Sequence, residues 1–166
     1  MIRAITLFQP IASLVWEGIK TVETRSYPTK VRGELLIHSA AAKTPESWLA
    51  RYLEDPVFRF YLFGSHRFDY RDALREIERN VTRFPRGVIG GRVDVTDCKR
   101  GPECRQVLGA LAWRREKALG DLSAERFGWF LRDAKALEHP FPATGSQGFW
   151  DASDFFDITG QQLARP

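Results

Sequence analysis

Several absences narrow what this chain of 166 residues can be. It has no run of about 18 apolar residues, so no membrane-spanning helix is predicted. It has only two cysteines, Cys98 and Cys104, and three histidines, and neither set has the paired spacing of a zinc site. The N-terminus lacks the basic segment and long apolar stretch of a secretory signal. We therefore expect a cytoplasmic protein with reduced thiols, without a bound metal or cofactor and without membrane contact.

The composition is that of a folded domain rather than a disordered or repetitive chain. Apolar residues make up 43%, charged residues 28% and aromatic residues 13%, and the net charge is only +4. A chain of this length buries enough surface for one hydrophobic core. Of the 25 basic residues, 19 are arginine. The planar guanidinium suits phosphate and stacks on bases, which is a small indication of nucleic-acid contact.

The hydrophobic pattern predicts a mixture of strands and helices. Strands are predicted over residues 4–8, 21–27, 33–39, 87–95 and 129–137, and the last of these is expected to end before Pro140. Helices are predicted over residues 10–18 and 102–119, and twice more within 43–84. In the helix over 102–119 the residues expected to face inward are Val107, Leu108, Leu111, Ala112 and Leu119. The pair Gly90 and Gly91 indicates a bulge or a close backbone approach.

These elements predict a single domain of the α+β class. We expect it to span residues 1–151, with a helical insertion at about residues 43–84 between two strands. The polar residues 152–166 are expected to form a loosely attached C-terminal tail. We see no internal repeat and no linker-like stretch.

The segment 18–25, GIKTVETR, has the highest density of chemically useful side chains. Lys20 and Arg25 can hold phosphate, and Glu23 can accept hydrogen bonds from a base or act as a general base. In a regular strand Lys20 and Glu23 would point to opposite faces, so Lys20 joins such a site only if the chain bends after Gly18. A solvated charge ladder on the strand surface fits the same spacing.

Five segments together resemble the ASCH (activating-signal cointegrator homology) family, which has the PUA-like superfold. They follow one another in the family's order between residues 5 and 150: ITLFQP at 5–10, GIKTVETR at 18–25, GELLIHSA at 33–40, GVIGGRVDV at 87–95 and GSQGFW at 145–150. The resemblance implies a small β-barrel flanked by helices, with a cleft where the first helix, the motif and later loops converge.

The resemblance also implies what the cleft would do: bind RNA or a modified nucleoside. The implied binding residues are Gln9, Lys20, Thr21, Glu23, Arg25, Tyr27, Gln147 and Trp150. A small branch of the family hydrolyses acylated cytidine with the motif's lysine, a threonine and a glutamate. Here Lys20 fits the lysine, Glu23 occupies the threonine position, and the motif places no residue at the position of the glutamate. In an enzyme, Lys20 and Glu23 would be the catalytic residues, with Glu23 as the base.

The residues themselves leave several of these assignments open. Tyr27 and Trp150 fit core packing as well as base stacking, and Gln9 could bind either a base edge or the backbone. His38, at the end of an apolar strand, is more typical of a hydrogen-bonded structural residue than of an acid or base. Besides a binding module, the sequence allows a hydrolase, either an amidohydrolase or a ribonuclease. It also allows an adaptor whose protein partner docks on the 43–84 insertion.

Overall fold

The computed structural model describes residues 1–65 and 69–156. His66 and residues 157–166, the greater part of the predicted tail, lie outside the described residues. The strands are β1 Arg3–Leu7, β2 Val22–Arg25, β3 Gly33–Ser39, β4 Val88–Arg100, β5 Phe127–Pro142 and β6 Phe149–Asp151. The helices are α1 Ile11–Trp16, α2 Glu46–Leu53, α3 Pro56–Phe63, α4 Tyr70–Arg79 and α5 Cys104–Leu119.

The strands form one six-stranded sheet in the order β2-β5-β4-β3-β1-β6. Only β1 and β3 pair in parallel, and the other neighbours are antiparallel. The sheet curls into a half-barrel with helices packed around it, which confirms the predicted α+β class and the PUA-like barrel flanked by helices. None of the described helices is both long and apolar enough to cross a bilayer.

Helix α1 lies against the sheet, and all six of its residues are buried. Its Trp16 packs directly on the backbone of Gly90 and Gly91. A Cβ atom on Gly91 would lie 2.2 Å from the Trp16 Cβ, so only glycine lets the helix approach this closely. The β4–β5 register also shifts between Ile89 and Gly91. The glycine pair therefore marks both the bulge and the close approach that the sequence predicts.

The segment 43–84 is helical, as predicted, and contains α2, α3 and α4. Asp55 and Asp69 cap α3 and α4 through backbone N–H groups two and three residues further on. Phe58 and Leu62 of α3 are fully buried and belong to the main core, whereas Phe60 is 40% exposed. Most of the insertion's apolar surface is thus used inside the molecule.

Two predicted details are wrong. In α5, Val107 is 54% and Leu111 is 85% exposed, so neither faces the core. The reason is Gly109, whose φ of 72° and ψ of 174° break the helix, so that one helical period does not run through it. In β5, pairing with β4 continues to Pro142, because Phe141 and Pro142 still align with Ile89 and Val88.

The chain after β6 packs on the face of the sheet opposite to helix α1. Ala152 is fully buried and Phe155 is 8% exposed, and both belong to a small cluster with Ala4 and Phe141. The described start of the predicted tail is therefore in contact with the domain. The boundary between residues 151 and 152 stays a prediction.

Candidate functional site

A cleft of about 580 Å³ opens between four parts of the chain. Its walls come from the end of β1, from β2, from helix α2 and from the loop over residues 145–148. The volume is within the range of small-molecule sites, about 300–1,000 Å³. Three cations, Lys20, Arg25 and Arg126, line it together with one carboxylate, Glu23. The lining is therefore net positive.

Lys20, Glu23 and Arg25 form one ion-pair group in this cleft. The Glu23 carboxylate lies 3.9 Å from the Lys20 Nζ and 3.1 Å from the Arg25 Nε. The Lys20 and Glu23 side chains are only 1% and 7% exposed, and that of Arg25 is 21% exposed. Lys20 also donates to the Val22 carbonyl. Buried charges persist when they are paired in this way, and water does not screen them as it does at a surface.

The chain bends after Gly18, which is the condition expected from the sequence for Lys20 to lie beside Glu23. Gly18 has φ +73°, the left-handed conformation that ends a helix without the steric cost a side chain would add. The N–H groups of Ile19 and Lys20 then both donate to the Leu14 carbonyl, at 3.0 and 2.9 Å. The chain therefore turns toward the cleft after the helix. Lys20 and Glu23 are buried there together, so the segment is not a solvated charge ladder on a strand surface.

Glu116 of α5 holds the opposite side of the same segment. Its carboxylate accepts hydrogen bonds from the backbone N–H groups of Thr21 and Val22, at 3.0 and 3.1 Å, and from the Thr21 hydroxyl at 2.8 Å. Arg115 completes the group with two donors to Glu116 and one to the Thr21 hydroxyl. Glu116 is fully buried. These bonds fix the backbone between Lys20 and Glu23.

Aromatic side chains form the wall contributed by helix α2. Trp48 and Tyr52 are one turn apart, with ring centroids separated by 4.5 Å, and both line the cleft. Burial raises the pKa of the Tyr52 phenol. Like any neutral tyrosine, it can donate a hydrogen bond. The cleft thus combines an aromatic wall with a charged floor.

The loop wall is anchored through Thr6 and His38. The His38 ring contacts the Thr6 hydroxyl through Nδ1, at 3.1 Å, and the Ala143 carbonyl through Nε2, at 3.0 Å. The Trp150 indole N–H donates to the same Thr6 hydroxyl at 3.1 Å. Gly145 packs so closely on His38 that an added Cβ would lie 2.2 Å from Nδ1. His38 is therefore a structural residue that places the loop.

The structure brings only some of the predicted binding residues together. Lys20, Glu23, Arg25 and Gln147 line the cleft.

The other four predicted residues lie elsewhere. The Gln9 amide is used internally, donating to the Pro85 carbonyl and accepting from Ser13. Thr21 points toward Glu116, and Trp150 toward Thr6. Tyr27 packs edge-on against Trp129.

The cleft residues absent from the prediction include Thr24, Trp48, Tyr52 and Arg126. Thr24 lies inside the quoted motif and lines the cleft near Lys20. Trp48 and Tyr52 have the spacing of one helical face, which is read first as core packing. The sequence around Arg126 does not indicate that it lines the cleft, because its position depends on the pairing of β5 with β2.

The described residues contain no group of three or more His, Cys, Asp or Glu side chains arranged to hold a metal ion. Cys98 and Cys104 are both free thiols.

A half-barrel sheet surrounded by helices is the α+β architecture of the PUA-like class. Within that class, residues 5–141 match the model of the ASCH domain family. The match covers well over half of the chain, so the chain belongs to the ASCH domain family. A search among curated proteins found no match to this chain.

Proposed function

We propose that this ASCH domain binds single-stranded RNA and holds one nucleotide in the cleft. The observation that carries the proposal is the buried Lys20–Glu23–Arg25 group, which faces a cleft with an aromatic wall. Membership of the ASCH family supports it, because that family is generally RNA-binding in character. The proposal retains Lys20, Glu23, Arg25 and Gln147 of the predicted residues. It leaves out Gln9, Thr21, Tyr27 and Trp150.

Each part of the cleft matches one part of a nucleotide. Arg25 and Arg126 supply charge-assisted donors for a phosphate. Glu23 accepts hydrogen bonds from the amino or imino groups of a base edge, as acidic side chains do from the amino group of cytosine. Trp48 or Tyr52 offers a ring face for stacking, which contributes about 1–3 kcal/mol per base.

The shape of the site favours a single strand over a duplex. A base enters a concave site only when it is unstacked and its edge is free, which is the condition of loops and single-stranded ends. A duplex would present only its backbone to the cleft. We therefore expect Glu23 and the aromatic wall to contribute nothing to duplex binding.

The test is a binding titration with a fluorescein-labelled, randomised RNA octamer, single-stranded or annealed to its complement, at several salt concentrations. Arg25→Met keeps an apolar stem but removes the charge of one of the two arginines assigned to the phosphate. We expect it to weaken single-strand binding and to reduce the slope of log K against log salt by about 0.7. The matched control is Lys99→Met, because Lys99 pairs with Asp97 on β4 outside the cleft. If the wild-type protein does not bind the single strand at low salt, the proposal is wrong.

A second candidate, hydrolysis of an acylated base, is favoured by the 3.9 Å separation of Lys20 and Glu23 inside the cleft. Glu23 would take a proton from a water molecule as its oxygen adds to the amide carbonyl, and Lys20 would stabilise the oxyanion. The C–N bond then breaks, and the proton passes from Glu23 to the departing amine. Incubation with N4-acetylcytidine, followed by chromatography for cytidine and acetate, separates the two candidates. Turnover that Glu23→Gln abolishes would establish the enzyme.

A further inference from the structure

A second cavity of about 440 Å³ lies next to the cleft, between the end of α2 and the second half of α5. Its walls carry the cations Arg51 and Lys117, the carboxylates Asp55 and Asp121 and the ring of Trp113, and the turn over residues 120–124 forms one side. The sequence patterns give no indication of it, because its sides come from segments about 60 residues apart.

The two cavities share one lining residue, and other residues that line them are neighbours. Tyr52 lines both of them. The consecutive residues Leu119 and Gly120 line the first and the second cavity respectively. Arg126 lines the first, and its Nε lies 3.9 Å from the carboxylate of Asp121, which lines the second. The two cavities are therefore neighbours, with Tyr52 and the Arg126–Asp121 pair between them.

Arg126 at this junction has donor capacity to spare. One terminal nitrogen donates to the Thr24 carbonyl at 3.3 Å. Its Nε is buried and has no hydrogen-bond partner among the described residues, because the Asp121 oxygen is beyond hydrogen-bonding distance. A phosphate at the junction would supply the missing acceptor. Arginine meets a phosphate with two parallel hydrogen bonds, which fits a group placed at the side of a groove.

The second cavity has the features of a stacking site. Trp113 is half-buried against the cluster of Val22, Cys104 and Leu122, which holds the ring in place while part of it lines the cavity. Lys117, one helical turn further along, is exposed on the same wall. An aromatic ring beside a cation is the combination that single-strand binding sites use for base and backbone.

We propose that the two cavities form one groove for two consecutive nucleotides of an RNA strand. The first base occupies the cleft, the linking phosphate contacts Arg126, and the second base stacks on Trp113. This inference rests on the proposed RNA binding and makes it more specific: the ligand is an oligonucleotide of at least two residues, and a free nucleoside fills only half the groove.

The test compares how well short ligands displace the labelled octamer from the whole protein. The competitors are cytidine 5′-monophosphate, the dinucleotide pCpC and the same dinucleotide with an abasic second residue. We expect pCpC to bind at least tenfold more tightly than the monophosphate, given the usual contribution of one stacked base. The abasic dinucleotide should lie between them, because it keeps the linking phosphate but not the second base.

Matched variants show which residues produce the higher affinity for pCpC. Trp113→Leu keeps apolar packing on Val22 and Leu122 but removes the stacking ring, and Lys117→Gln removes an exposed charge from the groove wall. Both should lower the ratio of pCpC affinity to monophosphate affinity, Trp113→Leu by about tenfold. Arg114→Gln removes a charge from the same helix at an exposed position outside the cavity and should leave the ratio unchanged.

Each outcome decides the matter. A gain that is lost in Trp113→Leu and retained in Arg114→Gln supports the groove. A monophosphate that binds as tightly as pCpC overturns the groove while the proposed RNA binding stands. A gain that neither Trp113→Leu nor Lys117→Gln reduces also overturns it. If the octamer itself does not bind, the proposed function is wrong and the groove with it.

Discussion

Two buried glutamates flank the same short segment of chain, and they are used in opposite ways. The carboxylate of Glu116, on the α5 side, accepts hydrogen bonds from two backbone N–H groups, a hydroxyl and Arg115. Glu23, on the cleft side, has ion pairs with the side chains of Lys20 and Arg25 and lines an open cavity. Burial alone therefore does not separate a structural carboxylate from a functional one. The separation lies in whether the partners are fixed backbone groups or side chains at the edge of a cleft.

The largest effect is expected when the Glu116 carboxylate is removed. Glu116→Leu leaves the Thr21 and Val22 N–H groups and Arg115 without their buried acceptor, so we expect the free energy of unfolding to fall by about 3–5 kcal/mol. For a chain of this size that lowers Tm by on the order of 10 °C. Thermal denaturation followed by circular dichroism measures it. Glu125→Leu, at an exposed position, is the control, and a loss for Glu116→Leu of less than about 1 kcal/mol would contradict the structural role.

The next largest effect is expected at Glu23, and it should appear in binding rather than in stability. Glu23→Gln keeps the size and one acceptor oxygen, and Lys20 keeps the Val22 carbonyl as a partner. We expect the free energy of unfolding to fall by about 1 kcal/mol. The ratio of affinities among the four ribonucleotide monophosphates should fall about tenfold. Competition against the labelled octamer and urea denaturation measure the two. Glu116→Gln should show the reverse order, and equal behaviour of the two variants would remove the distinction.

The bend at Gly18 and most element positions could be predicted from the sequence, because they depend on neighbouring residues. A glycine at a helix end, β-branched runs and capping aspartates act over a few positions. The roles of Glu116 and Arg126 could not be predicted in this way. Glu116 lies 95 residues from Thr21 along the chain, and Arg126 enters the cleft only because β5 pairs with β2. Gln9 shows the converse: a residue within a family motif whose amide the fold uses internally.

A smaller effect concerns the loop wall, which a neutral imidazole anchors. Burial lowers the pKa of His38, although its bond to the Ala143 carbonyl acts in the opposite direction. The unfolded chain therefore takes up a proton at a higher pH than the folded chain. The stability that neutral His38 contributes is present above about pH 6.5 and is lost below it, by at most about 1.4 kcal/mol per pH unit.

Urea denaturation between pH 7.5 and 5 measures this dependence. His38→Gln, which retains a donor and an acceptor but does not titrate, should have a flatter profile over that range than the wild-type protein. An unchanged slope in the variant would assign the acid sensitivity to other groups. The comparison also tests the loop wall separately from β2, because His38 contacts Thr6 and Ala143 but none of the three motif charges.

The smallest effect is expected on the outer face of the helix that carries Glu116. Leu111 is apolar and 85% exposed, whereas Glu116, five residues later, is charged and fully buried. From hydrophobicity alone, Leu111 would be expected to be buried and Glu116 to be exposed. The structure shows the reverse, because the break at Gly109 changes which later positions of the helix face the sheet. Leu111→Gln should therefore change the free energy of unfolding by no more than about 0.5 kcal/mol. Leu119→Gln, at a position only 1% exposed, should cost several times more, because it buries an amide without partners. If urea denaturation shows Leu111→Gln to be as damaging as Leu119→Gln, Leu111 packs in solution and the helix is continuous through Gly109. The register that brings Glu116 to Thr21 would then be wrong as well, so this mildest substitution also tests the premise of the strongest one.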